Sequence, residues 1–225
     1  STAAQCGHES CIRALVELGG DPNQAKDAGA TPCYVAAQEG HESCIRALVE
    51  LGGDPNEAAN GGLTPCFIAA KNGHESCILT LVEFGADVLE VDSYGETLIH
   101  KAAARGHESC LRMLVAMGVD PNRAANDGMT PCHIAALHGR PSCLKALMEL
   151  GANPFQTDNN GYTPSAYTSG QNIRDLITTT IASCVALQDA ARDGNEDEVR
   201  RLIHDEHTSI APAGAPAAVG RTWLT

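Results

Sequence analysis

The chain has 225 residues, 43% of them hydrophobic but only 4% aromatic, so its core must be built from Ala, Leu, Val, Ile and Cys. A formal charge of −13 argues against nucleic acid or an anionic membrane as a partner and mildly favours basic proteins. No apolar run reaches the roughly 18 residues that cross a bilayer, no signal peptide is expected, and the ten cysteines sit inside apolar patterns, which suits reduced thiols in a cytosolic or nuclear protein.

In chain order, STAAQCG (Ser1–Gly7) aligns with YVAAQEG (Tyr34–Gly40), which places the first residues inside a first helix. GHESCIRALVELGGDPN then occupies Gly7–Asn23 and recurs letter for letter at Gly40–Asn56. Gly7, Gly40, Gly73, Gly106 and Gly139 are each 33 apart. Cys11, Cys44, Cys77, Cys110 and Cys143 keep that step, as do Thr31, Thr64, Thr97, Thr130 and Thr163. The later copies are preceded by TPCYVAAQEG, TPCFIAAKNG, ETLIHKAAARG and MTPCHIAALHG. A unit of this length holds two short helices and a turn and cannot bury its apolar face alone, so the units must stack.

Within one unit, Thr31 can cap a first helix and Pro32 suits its first position. Ala36 and Ala37 allow close helix approach, and Gly40 can end the helix in the left-handed conformation. The second helix runs through the apolar stripe Cys44, Ile45, Leu48, Val49 and Leu51, after which Gly52-Gly53 stops it and Asp54-Pro55-Asn56 turns.

These phrases resemble the ankyrin repeat, whose pattern is G-x-TPLH-x-AA-x-x-GH, an apolar helix, then G-A-D-x-N. The resemblance covers essentially the whole chain, with weaker spelling after about residue 165, and suggests about seven repeats truncated at both ends. It implies an all-α solenoid of stacked antiparallel helix pairs with β-hairpin-like fingers along one edge. It also gives His8, His41, His74 and His107 a structural role at the turn between helices, and Asn23, Asn56 and Asn122 turn-forming hydrogen bonds.

The phase fails once. In TPSAYTSGQNIRDLITTTIASC (Thr163–Cys184), Ser165 replaces an apolar residue and Thr168-Ser169 replace the Ala pair. The next pair, Ala190-Ala191, falls 11 residues short of a full repeat. This reads either as a junction between an array over 1–186 and a second stretch over 187–225, or as an ordinary degenerate repeat. The Ala/Pro/Gly-rich TSIAPAGAPAAVG is expected to form a longer, mobile finger, and GRTWLT resembles the start of a further repeat. A fragment of a longer protein is expected.

His, Glu and Cys within GHESC could bind metal or react, but the pattern speaks against both. Zinc takes four ligands at about 2.0–2.3 Å, whereas one Cys per stacked unit is separated from the next by a helix spacing of about 8–10 Å. Buried free cysteines behave as small hydrophobes. Cys6 is expected to be the most reactive thiol because it aligns with the polar Glu39, Asn72, Arg105 and His138. His100 and His133 share their place with Tyr34 and Phe67, which suits packing or surface contact. No phosphate loop, nucleophile elbow or two-His helix motif is present, so no catalytic residue, metal or cofactor is expected.

Recognition is expected where the copies differ: at the finger tips, the residue before Thr, and the two residues after the Ala pair. The resemblance makes this the partner-binding surface. Lys71, Asn72, Tyr94, Glu96, Arg105, Met129, His138 and Tyr162 are the candidate contacts. The expected function is a non-catalytic scaffold for another protein or peptide, with no nucleic acid, membrane or small-molecule substrate. The ankyrin region of a membrane channel, or the recruiting arm of a ligase or kinase, are alternative settings.

Overall fold

The computed structural model describes residues 2–168, 170, 173–179, 192, 194–197 and 200–201. Apart from isolated positions, the expected second stretch over 187–225 lies outside the described residues, including Ala190-Ala191, the Ala/Pro/Gly-rich finger and GRTWLT.

Ten α-helices follow the 33-residue step among the described residues: α1 (Thr2–Gln5), α2 (Glu9–Glu17), α3 (Pro32–Glu39), α4 (Glu42–Glu50), α5 (Pro65–Asn72), α6 (Glu75–Glu83), α7 (Leu98–Arg105), α8 (Glu108–Ala116), α9 (Pro131–Leu137) and α10 (Pro141–Glu149). Thr31 caps α3 by accepting the Tyr34 N–H at 3.1 Å, with Pro32 in the first turn. Each odd-numbered helix pairs with the even-numbered helix after it, and α1, α3, α5, α7 and α9 lie side by side as one layer. In the other layer α2 packs on α4, α4 on α6 and α8 on α10, while α6 and α8 are the neighbours in least contact.

The core is thin and small-residue rich. The Ala pairs 36–37, 69–70, 102–103 and 135–136 are buried, as are Cys33, Cys66 and Cys132 on the first helices and Cys44, Cys77, Cys110 and Cys143 on the second. Burial pushes the thiols of Cys33, Cys66, Cys110 and Cys132 up to about 12, and those of Cys77 and Cys143 to about 11. Cys11 is exposed alongside Cys6, and Leu15 is 53% exposed where its counterparts Leu48, Leu81, Leu114 and Leu147 are buried, because no repeat packs on that side of α2 in the described stack.

Three seams join successive units. At the GHESC joint, the Nε2–H of His41, His74 and His107 donates to the carbonyls of Gln5, Gln38 and Lys71 in the preceding unit, at 3.0–3.1 Å. Arg140 makes the same bond through Nε to Ala104, at 3.3 Å. The ring lies over the glycine that ends the preceding first helix: a β-carbon on Gly40 would come within 2.8 Å of His74, and one on Gly73 within 2.6 Å of His107. At the turn, Asn23 donates to Gly52 and accepts from the Asp54 N–H, and Asn122 does the same with Gly151 and Asn153. Asn56 donates to Gly85.

The third seam runs along the fingers. Each closes with an N–H bonded to the carbonyl four residues on, as in Lys26 to Ala30, Ala59 to Leu63, Asp92 to Glu96, Ala125 to Met129 and Asp158 to Tyr162. The tips are tied edge to edge by backbone bonds from Asn60 to Ala28, Ser93 to Gly61, Asn126 to Tyr94 and Asn159 to Asp127.

The degenerate unit shows why its sequence breaks step. Its first helix is cut to a 3-10 turn at Pro164–Tyr167, packed on α9. Thr168 is in the extended region, and its hydroxyl accepts the Gly170 N–H at 3.1 Å, a local bond that competes with helix. A helical stretch follows at 173–179, with Ile173 and Ile177 buried.

Candidate partner-binding groove

The side chains facing the finger side of the first-helix layer depend on what each finger supplies. In one finger Asp92 accepts the N–H groups of Tyr94 and Glu96 at 2.9 Å through Oδ1. Its other oxygen, Oδ2, is buried without a hydrogen bond of good geometry and takes the Lys101 ammonium as an ion pair at 2.6 Å. Lys101 also pairs with Glu96. Burial alone would lower the Lys101 pKa, but the adjacent carboxylates of Asp92 and Glu96 outweigh it and the net shift is upward.

The same spacing recurs in another finger, where the Tyr167 hydroxyl donates to Asp158. That bond, with the N–H groups of Asn160 and Tyr162, holds the Asp158 carboxyl down at about 2. Where the finger residue is Ala59 or Ala125, the residue nine on is the buried Ile68 or Ile134. A finger carboxylate thus comes with a polar partner on the next helix, and a finger alanine with an isoleucine.

His100 and His133 are not surface groups: both are fully buried. Nε2–H of His100 donates to the Met129 carbonyl at 3.1 Å, which leaves Nδ1 to accept from the Thr97 N–H and hydroxyl at 3.0 and 2.9 Å. His133 repeats this with Tyr162 and Thr130. Each imidazole therefore locks its own helix cap and the next finger, and burial lowers the His100 pKa, keeping it neutral.

Over this layer lies an open cleft of about 460 Å³ spanning three units. Leu63 and Glu96 border it from the fingers, and Lys71 enters from α5. His100, Lys101, Ala104 and Arg105 come from α7, and Ile134, His138 and Arg140 from α9 and the joint beyond it. His138 donates Nδ1–H to the Ile134 carbonyl at 3.0 Å, so its Nε2 is the ring atom left for a ligand.

Four of the eight expected contact residues, Lys71, Glu96, Arg105 and His138, converge on this cleft. Tyr94 and Tyr162 are exposed on the fingers, 69% and 57%, outside its lining. Asn72 is half-buried and donates to the Gln38 carbonyl at 2.9 Å, a bond within the stack. Met129 requires a correction: it is only 9% exposed and belongs to the core, so its side chain is not available to a partner. Sequence reasoning missed Lys101 and Arg140. The available signal was that each breaks a repeated position, Lys101 standing in for Ile68 and Ile134, and Arg140 for the joint histidines.

A family model for ankyrin repeats matches residues 1–92, 52–125 and 67–158 in three overlapping copies. The chain belongs to the ankyrin-repeat family. No curated protein matches it. Ankyrin repeats are generally protein-interaction modules, and the helix pairs and closed fingers seen here are their architecture. Among the described residues of this ankyrin stack, no helix is long and apolar enough to cross a membrane.

Proposed function

We propose that this ankyrin array is a non-catalytic scaffold, part of a larger cytoplasmic protein, that holds a peptide or folded partner against its finger-side groove. The observation that carries the reading is the convergence of Lys71, Glu96, Arg105 and His138, all at positions that vary between the copies, on one open cleft. The fold needs none of these four as it needs Gly73, His107 or the Ala pairs, and the side chains of Lys71, Arg105 and His138 are left for recognition, while Glu96 is held by Lys101. Exposed Tyr94 and Tyr162 extend the surface along the fingers, and tyrosine is a frequent anchor at interfaces. The same groove serves whether the larger protein is a channel, a ligase or a kinase.

Affinity capture with the wild-type chain and with Tyr94→Ala/Arg105→Ala tests the proposal. Proteins retained by the wild type should be recovered several-fold less on the variant, both chains showing the same helical melting curve. Equal recovery on the two would overturn the groove as the binding surface.

A further inference from the structure

The two layers of the stack treat their positive charges differently. On the second-helix layer each arginine is clamped by a glutamate of its own helix and one of the next repeat: Arg13 by Glu9 and Glu50, Arg46 by Glu42 and Glu83, Arg112 by Glu108 and Glu149. In the groove, Lys101 is likewise neutralised, by Asp92 and Glu96. Lys71, Arg105 and Arg140 are not: among the described residues none of the three is in an ion pair, and Arg140 uses only Nε, on the Ala104 carbonyl. Three uncompensated cations therefore share one cleft in a chain whose formal charge is −13.

On the reading that the groove binds a partner, we infer that its ligand is an acidic linear peptide segment, carrying Asp or Glu carboxylates beside an aliphatic side chain. Guanidinium groups match carboxylates in a bidentate fork, so Arg105 and the free nitrogens of Arg140 are the donors of choice to the ligand's carboxylates, with Lys71 as a point charge across the cleft. The half-buried Leu63 and Ala104 supply the apolar wall against which an aliphatic residue packs. The acidic remainder of the chain repels a polyanion at longer range, which disfavours nucleic acid and favours a ligand with few, well-placed negative charges. The expectation of basic partners drawn from net charge alone is thereby reversed at the groove: local charge, not the total, sets complementarity.

A random linear-peptide display library panned on the immobilised chain, in parallel with Arg105→Glu and Lys71→Gln/Arg105→Gln, tests this. Peptides enriched on the wild type should carry Asp or Glu next to Leu, Ile or Val, bind at least tenfold more weakly to Arg105→Glu, and weaken several-fold between 50 and 300 mM salt. Circular dichroism melts verify that both variants are folded, and Arg105 is solvent-exposed in the fold. Enriched peptides that are basic or neutral yet lost on Arg105→Glu would refute the acidic chemistry while leaving the groove as the binding surface. Acidic peptides held equally by both variants would refute the groove as well. No enrichment, or tighter binding of a single-stranded oligonucleotide than of any peptide, also overturns the acidic-peptide assignment.

Discussion

His107 lies across Gly73, one repeat earlier, so closely that a β-carbon on the glycine would stand 2.6 Å from the imidazole Nδ1. The glycine also has φ +76, so two constraints meet at one residue. Gly85, at φ +89, has the backbone constraint but open space around it. Gly85→Ala should cost about 1 kcal/mol, the left-handed penalty alone, and Gly73→Ala about 2–3 kcal/mol once overpacking is added. In urea unfolding, the excess at Gly73 should shrink in a His107→Ala background. Strict additivity of the two substitutions would contradict the contact.

Acid should weaken the stack through His100. Its folded-state pKa is lowered by burial, so the unfolded chain takes up a proton first, from its ordinary value near 6.5. Binding more protons when unfolded means stability rises with pH in this window and falls as pH drops below about 6.5. His100→Phe, which copies Phe67 of the preceding repeat, should be less stable at pH 7.5 for want of three hydrogen bonds. It should nevertheless lose less stability than the wild type between pH 6.5 and 5. An identical loss would exclude His100 as the source.

The finger carboxylate and the helix residue nine places on form a matched set. Lys101→Ile strands the buried Asp92 carboxylate, and Asp92→Ala removes one of the two carboxylates that hold Lys101, so either alone should cost about 2–4 kcal/mol, discounted because Lys101 keeps some solvent contact and Glu96. Asp92→Ala/Lys101→Ile recreates the Ala59/Ile68 pairing of a neighbouring repeat and should recover at least half of the Asp92→Ala loss. Equilibrium unfolding of the four chains gives the coupling energy directly. A double variant worse than both singles would disprove the matched-set reading.

Thiol chemistry should split into two classes. Cys6 and Cys11 are exposed, while the thiols held at about 11–12 by burial have almost no thiolate at pH 8. With Cys184 changed to Ser, titration of the native chain by a chromogenic disulfide should show two fast thiols, abolished by Cys6→Ser/Cys11→Ser. Fast reaction of any further thiol would show that the stack opens.

The helices and their stops were legible because each repeat spells out its own local chemistry: Thr31-Pro32 starts α3, Gly40 ends it, and Glu42 begins α4. The buried cysteines were legible from their place on the apolar stripe. Cys11 occupies that stripe too, yet lies exposed, since its cover comes from a neighbouring unit rather than its own. Met129 misled for the converse reason. Its position varies freely among Ala30, Leu63, Glu96 and Tyr162, so it looks like surface, but neighbours bury it. The groove's Lys71, Arg105 and His138 were visible as freely varying positions within a fixed frame. Which of the cations would be neutralised was not, because that depends on carboxylates brought near by folding.

On the second-helix layer, the clamps from Arg13 to Glu50, Arg46 to Glu83 and Arg112 to Glu149 skip one joint, where Leu79 and Ala116 stand in the bridging places. Leu79→Arg/Ala116→Glu should stabilise the chain by about 0.3–1 kcal/mol at low salt, an increment that fades at 1 M salt. A gain unaffected by salt would point to packing instead.

That unclamped joint joins the two units whose first helices carry Lys71 and Arg105, on the opposite layer from the groove. A cleft whose walls belong to different repeats behaves as a pair of callipers. Any tilt between those repeats becomes a change in the distance between the jaws, and the joint with the fewest cross-ties is where such a tilt meets least resistance. On the proposed function, a partner held in the groove would therefore be coupled to the tilt between those two repeats.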